Sequence, residues 1–235
     1  MGKIVGLSRA IKPEWLDKTV EFFIQSEDGA SIKEKLNEYL SFEIKSSTIL
    51  RKTREILLNI WIRSKEYEPV IHKTAIDAYR SERSDKMALN WAMILLAYPV
   101  FSDVTFRIGK IGMIQDTFTT SWLREKLAET WGDRTTLIYS CDKILQTLKA
   151  LGAIENQKQG VYKIKKHEVK DEKSTSVLIM CLFALKRQAY YEIAEINNHL
   201  LLFPFDYNVT LELLHNIPKI GISNFGGKLV AAAQE

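Results

Sequence analysis

Leu137, Cys141, Ile144, Leu148 and Leu151 recur at spacings of 4, 3, 4 and 3, which places all five on one stripe of a helix. Around this helix the polar and apolar positions change period several times. Thr117-Phe118-Thr119 reads as a short extended piece, and Thr120 or Ser121 as the N-cap of an amphipathic run, Trp122 to Trp131, that Gly132 ends. Arg134-Thr135-Thr136 opens the striped helix, with Asp133 or a Thr hydroxyl as its cap, and Gly152 stops it. Ala153-Ile154, a polar turn from Asn156 to Gly160 and the alternating Val161 to Lys165 then predict a hairpin. A helix, a tight turn, a longer helix and a basic hairpin is the order of a winged helix-turn-helix.

The flanking segments are mainly helical. Residues 1–12 read as an irregular arm. Pro13 starts a helix carrying Trp15, Leu16, Val20, Phe22 and Phe23 and ending near Ser26. Asp28-Gly29 reads as a turn, and Ser31 with Glu34 as a capping box for Ile32 to Leu40. Helices are expected over Thr48 to Ser64, Pro69 to Tyr79, Met87 to Tyr98 and Phe101 to Ile114. The third of these, Met87 to Tyr98, is apolar on nearly every side and belongs at the centre of a bundle. His167 to Ser174 is charged and reads as a linker. A long helix over Thr175 to Asn198 follows, then an extended Leu200 to Tyr207, a short helix from Val209 to His215, a strand from Pro218 to Phe225 and a Gly226-Gly227 turn. The expected fold class is therefore mainly α. A helical bundle over 1–100 precedes a winged helix over 101–168, and a small α/β portion of a C-terminal helix plus short strands spans 174–235.

Charge then separates two regions from the rest. The 235 residues carry a formal net charge of +4. Between Arg134 and Lys166 there are seven Lys/Arg against Asp142 and Glu155, and between Lys45 and Lys65 six Lys/Arg against Glu55 alone. Opposite the apolar stripe, Thr136, Tyr139, Ser140, Lys143 and Gln146 share the face expected to be open, with Arg134 and Thr135 at its start. Such side chains meet base edges and phosphates in a major groove. Lys158, Lys163 and Lys165 on the hairpin are placed to reach flanking phosphates. On the earlier helix Lys52, Asn59 and Arg63 form a row, which Lys45 extends if the helix begins early. Both faces also read as ordinary solvated surface, and a winged helix also serves as a protein-docking module.

Candidate chemistry is sparse. Histidines 72, 167, 199 and 215 lack metal-ligand spacing with one another or with a cysteine. Gly109-x-x-Gly112 is too short for a phosphate loop. Glu43-Ile44-Lys45 has the Glu-x-Lys spacing of metal-dependent nucleases, with Asp17 and Asp28 as possible upstream carboxylates. That site needs a strand, and the flanks read helical. No cofactor, metal or small-molecule substrate is expected, nor catalysis. Cys141 and Cys181 sit in apolar helical patterns and read as core residues, which suits a reducing cytoplasm. No secretion signal or run of roughly 20 apolar residues is seen, so a cytoplasmic protein without a membrane partner is expected.

The segment Ser46-Ser47-Thr48-Ile49-Leu50-Arg51-Lys52, leading into Leu57-Leu58-Asn59-Ile60-Trp61-Ile62-Arg63, resembles the basic helix of the BrxA family of BREX-type bacterial phage-defence systems. Trp122 to Ile154 is similar to that family's winged-helix portion, so the resemblance covers residues 30–165. It implies a non-catalytic protein that binds double-stranded DNA and works with other proteins of a defence assembly. The alternative is a scaffold that docks a larger enzyme.

Overall fold

The computed structural model describes residues 6–26 and 28–234. It is mostly helical with small sheets. The elements run α1 (Pro13–Gln25), α2 (Gly29–Ser41), α3 (Ser47–Trp61), α4 (Ser64–Tyr67), α5 (Pro69–Tyr79), α6 (Lys86–Ala97) and α7 (Pro99–Gly112). Then come β1 (Thr117–Thr119), α8 (Thr120–Trp131), α9 (Thr135–Ala150), β2 (Ile154–Lys158), β3 (Val161–Ile164), β4 (His167–Glu168) and α10 (Glu172–Ala184). The chain closes with β5 (Tyr191–Glu192), α11 (Ile193–Ile196), a 3-10 turn at Leu200–Leu202, β6 (Phe205–Asp206), α12 (Leu211–Asn216), β7 (Ile220–Phe225) and β8 (Lys228–Ala233).

The all-apolar character of α6 puts it at the centre, where every residue from Ala88 to Leu95 is buried. Burying its polar groups is tolerable only because each is paired. Asn90 accepts the Trp61 indole N–H at 2.9 Å and donates to Asp17 at 2.8 Å, tying α3 and α1 to α6. The Trp91 indole donates to the Leu201 carbonyl at 3.0 Å, and its ring meets Phe101, Phe203 and Phe205 edge-on at 5.2, 5.5 and 5.3 Å. α10 packs across α6 and α5, so one continuous core runs from Leu7 to Ala231.

Three strands form a sheet in the order β1-β3-β2, all antiparallel. Phe118 lies opposite Tyr162 in the register, and the two rings stack at 5.7 Å. α7, α8 and α9 pack on one another against this sheet. Gln159 and Gly160 alone connect β2 to β3, with Gly160 at φ 72°. The hairpin turn is thus tighter than the Asn156–Gly160 loop expected from composition.

Several boundaries differ from expectation for identifiable reasons. α2 is capped by Asp28, whose carboxylate accepts from the Ala30 and Ser31 N–H groups, so the Ser31–Glu34 capping box does not form. α8 is capped by Thr119, not Thr120 or Ser121, and α9 has no side-chain cap at all. Residues 167–174 are not a linker. His167–Glu168 pairs in parallel with Phe205–Asp206, His167 Nε2 lies 2.6 Å from Asp85, and Asp171 caps α10. The long helix expected over 175–198 stops at Ala184. Lys186 takes φ 48°, and Tyr191 enters a second antiparallel sheet, β5-β8-β7, where it is buried against Phe183 and His199. Helical periodicity persists through this stretch, but burial of Tyr191 outweighs a local preference of a few tenths of a kcal/mol per residue. Leu200 to Tyr207 is a 3-10 turn and a two-residue strand rather than one extended piece. The 1–12 arm is irregular over its described part, residues 6–12, yet Leu7 and Ile11 are fully buried.

Gly109 shows how closely α7 and the 3-10 turn approach: a Cβ there would sit 2.0 Å from the Leu200 carbonyl oxygen. Gly109→Ala gains about 1 kcal/mol of helix propensity but forces two backbones apart, an overpacking cost of about 1–3 kcal/mol or more. The clash should win, so urea denaturation of Gly109→Ala should give a lower midpoint than wild type; an equal or higher midpoint refutes the close packing. His199 is a second probe of this region. Burial, reinforced by Arg187, pushes its pKa down from 6.5 to about 4, and Nδ1 accepts the Leu201 N–H at 3.2 Å. Between those pH values the unfolded chain binds a proton that the folded one excludes. The contribution is therefore complete above pH 6.5 and lost as pH falls toward 4. Between pH 7 and 4 wild type should lose about 3 kcal/mol more than His199→Asn; parallel stability curves contradict this.

Candidate nucleic-acid interface

α9 buries Leu137, Cys141, Ile144, Leu148 and, just past its end, Leu151, as the spacing requires. Its buried face is wider than that stripe. Ser140 and Thr147, seven residues apart on one line of the helix, are 4% and 0% exposed, and Thr147 Oγ1 accepts the Ile11 N–H of the N-terminal arm at 3.0 Å. Ser140 is thus withdrawn from the expected contact face. The open face holds Thr135, Thr136, Ile138, Tyr139 and Gln146, with Tyr139 65% exposed and Lys143 half-buried, donating to Gln146 at 3.4 Å. Arg134 is exposed, but its guanidinium folds back on the Trp131 carbonyl at 2.6 and 3.0 Å. Arg124 on α8 grips Asp142 on α9 at 2.6 Å, which holds the two helices in register.

The hairpin carries less free charge than its sequence suggests. Lys163 pairs with Asp116 at 3.5 Å, Lys165 with Glu155 at 3.5 Å and Lys166 with Asp206 at 3.3 Å. Asp116 and Asp206 lie outside the 134–166 window, so a count along the chain missed them. These exposed pairs are worth little to stability, about 0–1 kcal/mol each, and an incoming phosphate displaces them readily. Lys158, beside the tight turn, is exposed and has no ion pair among the described residues.

The second basic region forms a groove of about 1030 Å³. It is lined by Arg51, Lys52, Glu55, Ile56 and Asn59 of α3 and by Arg63 just past that helix, which ends at Trp61 and not at Ser64 as expected. The α6–α7 corner, Ala97-Tyr98-Pro99, Trp131 at the end of α8, and Gly6 and Ser8 of the arm complete the lining. Lys52 and Arg63 thus line the same groove, but Arg63 does so from beyond the end of α3 and not from the helical row expected. Lys45 does not join them: α3 starts at Ser47 with Ser46 as its cap, and the Lys45 ammonium bonds the Ser41 carbonyl at 3.1 Å. Glu55 is the carboxylate in the lining. Burial pushes its pKa up, but hydrogen bonds from Arg54 at 2.8 Å and Arg63 at 2.6 Å more than offset that and hold the carboxyl below its usual range. Arg54 is itself buried and bonded to Asn37, so it belongs to the core and not to the basic face. Arg51 and Lys52 are exposed and have no ion pair among the described residues. Arg51 was in the sequence count but was not singled out. Nothing local in the sequence shows that Pro99 and Trp131 line the groove with it.

Glu43 and Lys45 lie in the loop after α2, not on a strand. The Glu43 carboxylate is engaged by Lys12 and by the Trp15 indole, which hold its pKa below the usual range. Asp17 is committed to Asn90 and Asp28 to the α2 N-terminus. The Glu-x-Lys fragment therefore lacks the arrangement its spacing suggested. Among the described residues no group of three or more His, Cys, Asp or Glu is placed to hold a metal ion.

Both cysteines are buried and free. Desolvation, with Asp142 adding to it, pushes the Cys141 thiol up to about 12, and desolvation raises Cys181 as well. Neither supplies a thiolate near neutral pH. At pH 8 the folded protein should react with none of an added thiol reagent, and two groups should react once it is denatured; a fast-reacting thiol in the native state contradicts this burial. No single described helix is long and apolar enough to cross a membrane. The bent pair α6 and α7, turned by 119°, meets that test only when joined, and its apolar residues lie largely in the core. No protein-family model matches the chain, and neither a curated protein nor a solved structure matches it.

Proposed function

We propose that the chain binds double-stranded DNA without catalysis of its own, and that residues 99–164 act as a winged helix-turn-helix with α9 as the helix entering the major groove and the β2–β3 hairpin as the wing. The observation that carries this reading is the joint presentation of the polar α9 face and the Lys158 hairpin tip on one three-helix, three-strand unit. Thr135, Thr136, Tyr139 and Gln146 supply the hydrogen-bonding groups for base edges, and Lys143 and Lys158 the charge for phosphates. Lys163 and Lys165 join them once phosphate replaces their carboxylate partners. The basic groove beside α3, through Lys52 and Arg63, adds a second contact. The resemblance to the BrxA family supports the further reading that this binding serves a multi-protein phage-defence assembly.

A protein-docking role is favoured by a separate observation. Ile138 and Tyr139 stand exposed side by side on α9, at 37% and 65%, and most wing lysines are already paired. Such a surface suits a larger protein partner as well as a groove of DNA.

Lys143→Glu combined with Lys158→Glu separates the two readings. Both residues lie off the apolar stripe, so the melting temperature should hold. Duplex affinity should fall by a factor of tens to hundreds in a mobility-shift titration at low salt, and wild-type binding should weaken steeply as salt rises. Unchanged duplex affinity in the double variant, or no duplex binding by wild type, overturns the assignment of α9 and the wing.

A further inference from the structure

The groove between α3 and the α6–α7 corner has features that a flat phosphate-contacting face does not need. It is an open channel of about 1030 Å³, at the upper end of small-molecule sites, which run about 300–1,000 Å³. Its walls divide by chemistry. Arg51 and Lys52 stand exposed without a carboxylate partner among the described residues, whereas Ile56, Ala97, Tyr98 and Pro99 make the rest of the lining largely apolar, with Pro99 exposed, Ala97 half-buried and Ile56 and Tyr98 buried. The lining cations Arg51, Lys52 and Arg63 face one lining carboxylate, Glu55, so the groove carries a net +2 (three minus one). Glu55 is already held by Arg54 and Arg63, and this leaves the charge of Arg51 and Lys52 uncompensated.

A duplex presents phosphates outward and keeps its bases stacked, so it leaves an apolar lining unused. A single strand presents both parts at once: a phosphate for each cation and unpaired bases for apolar surface. We propose that this groove seats a short single-stranded nucleic-acid segment, with its phosphates on Arg51 and Lys52 and its bases against the apolar lining at Ala97 and Pro99. Trp131, at the end of α8, is part of the lining, and Arg134, at the start of α9, is bonded to the Trp131 carbonyl. The groove thus reaches the end of α8, next to the start of α9. The inference rests on that reading only for the source of the strand, as an end or an opened stretch of bound DNA; the groove's own binding is independent of it.

Fluorescence anisotropy with a labelled ten-nucleotide oligo-dT and a ten-base-pair duplex, on the full chain at low salt, tests this. Arg51→Glu with Lys52→Glu should weaken single-strand binding at least tenfold and leave the melting temperature unchanged, since both side chains are exposed. Lys143→Glu with Lys158→Glu should weaken the duplex and leave the single strand within about twofold of wild type. A fully abasic strand of the same length should bind several-fold more weakly than oligo-dT. Single-strand binding that is absent in wild type, or unaffected by the 51/52 reversal, overturns the inference while leaving the duplex reading standing if the duplex still responds to 143/158. Loss of duplex binding altogether with a 51/52-sensitive single strand does the reverse. A decamer of poly-glutamate that displaces oligo-dT at equal concentration also overturns it, by making the groove a general anion surface.

Discussion

The burial of α6 is the constraint on which the other elements depend. A helix buried from Ala88 to Leu95 must find partners on every side, and its two buried side chains that carry hydrogen-bonding groups, Asn90 and Trp91, choose which. Asn90 links Asp17 of α1 to Trp61 of α3, and Trp91 reaches the Leu201 carbonyl far along the chain. Removing either partner leaves a buried polar group without a hydrogen bond, which costs about 1–3 kcal/mol, so these links select one packing among many that would bury the same apolar area. The C-terminal third is thereby drawn onto the N-terminal helices through α10 and the 3-10 turn, instead of standing apart.

The same constraint shapes both candidate binding faces. α7 leaves the centre at Pro99 and carries the α8–α9–sheet unit with it. The corner at Pro99 also lines the groove beside α3. The N-terminal arm completes the arrangement: its Ile11 N–H closes on Thr147 of α9, and its Gly6 and Ser8 line the groove. Charge is distributed accordingly. On the hairpin most lysines lean on carboxylates, whereas on α3 two cations remain open beside an apolar lining.

Much of this was legible along the chain. The stripe from Leu137 to Leu151, the Gly132 and Gly152 stops, the Pro13 and Pro69 starts and the all-apolar α6 follow from periods and breakers that act within a few residues. The order of α7 to β3 was readable for the same reason. The candidate site was legible in its residue types and in its two basic concentrations. Ser140 was misplaced, because which flank of an amphipathic helix a distant arm will cover is not written in the helix. Lys163 and Lys166 looked freer than they are, because Asp116 and Asp206 reach them across strands.

The sequence by itself determined most of the helices from α1 to α9 in outline, where glycine and proline interrupt them, and where positive charge accumulates, since these depend on backbone sterics and neighbours three or four residues away. Only the tertiary structure decided that His167–Glu168 is a paired strand and Asp171 a cap, that the helix expected over 175–198 ends at Ala184, and that Arg51, Pro99 and Trp131 line one groove. Those outcomes are set by contacts between residues tens of positions apart. Burial of Tyr191 and pairing of His167 with Asp85 outweigh local preferences that are individually a few tenths of a kcal/mol.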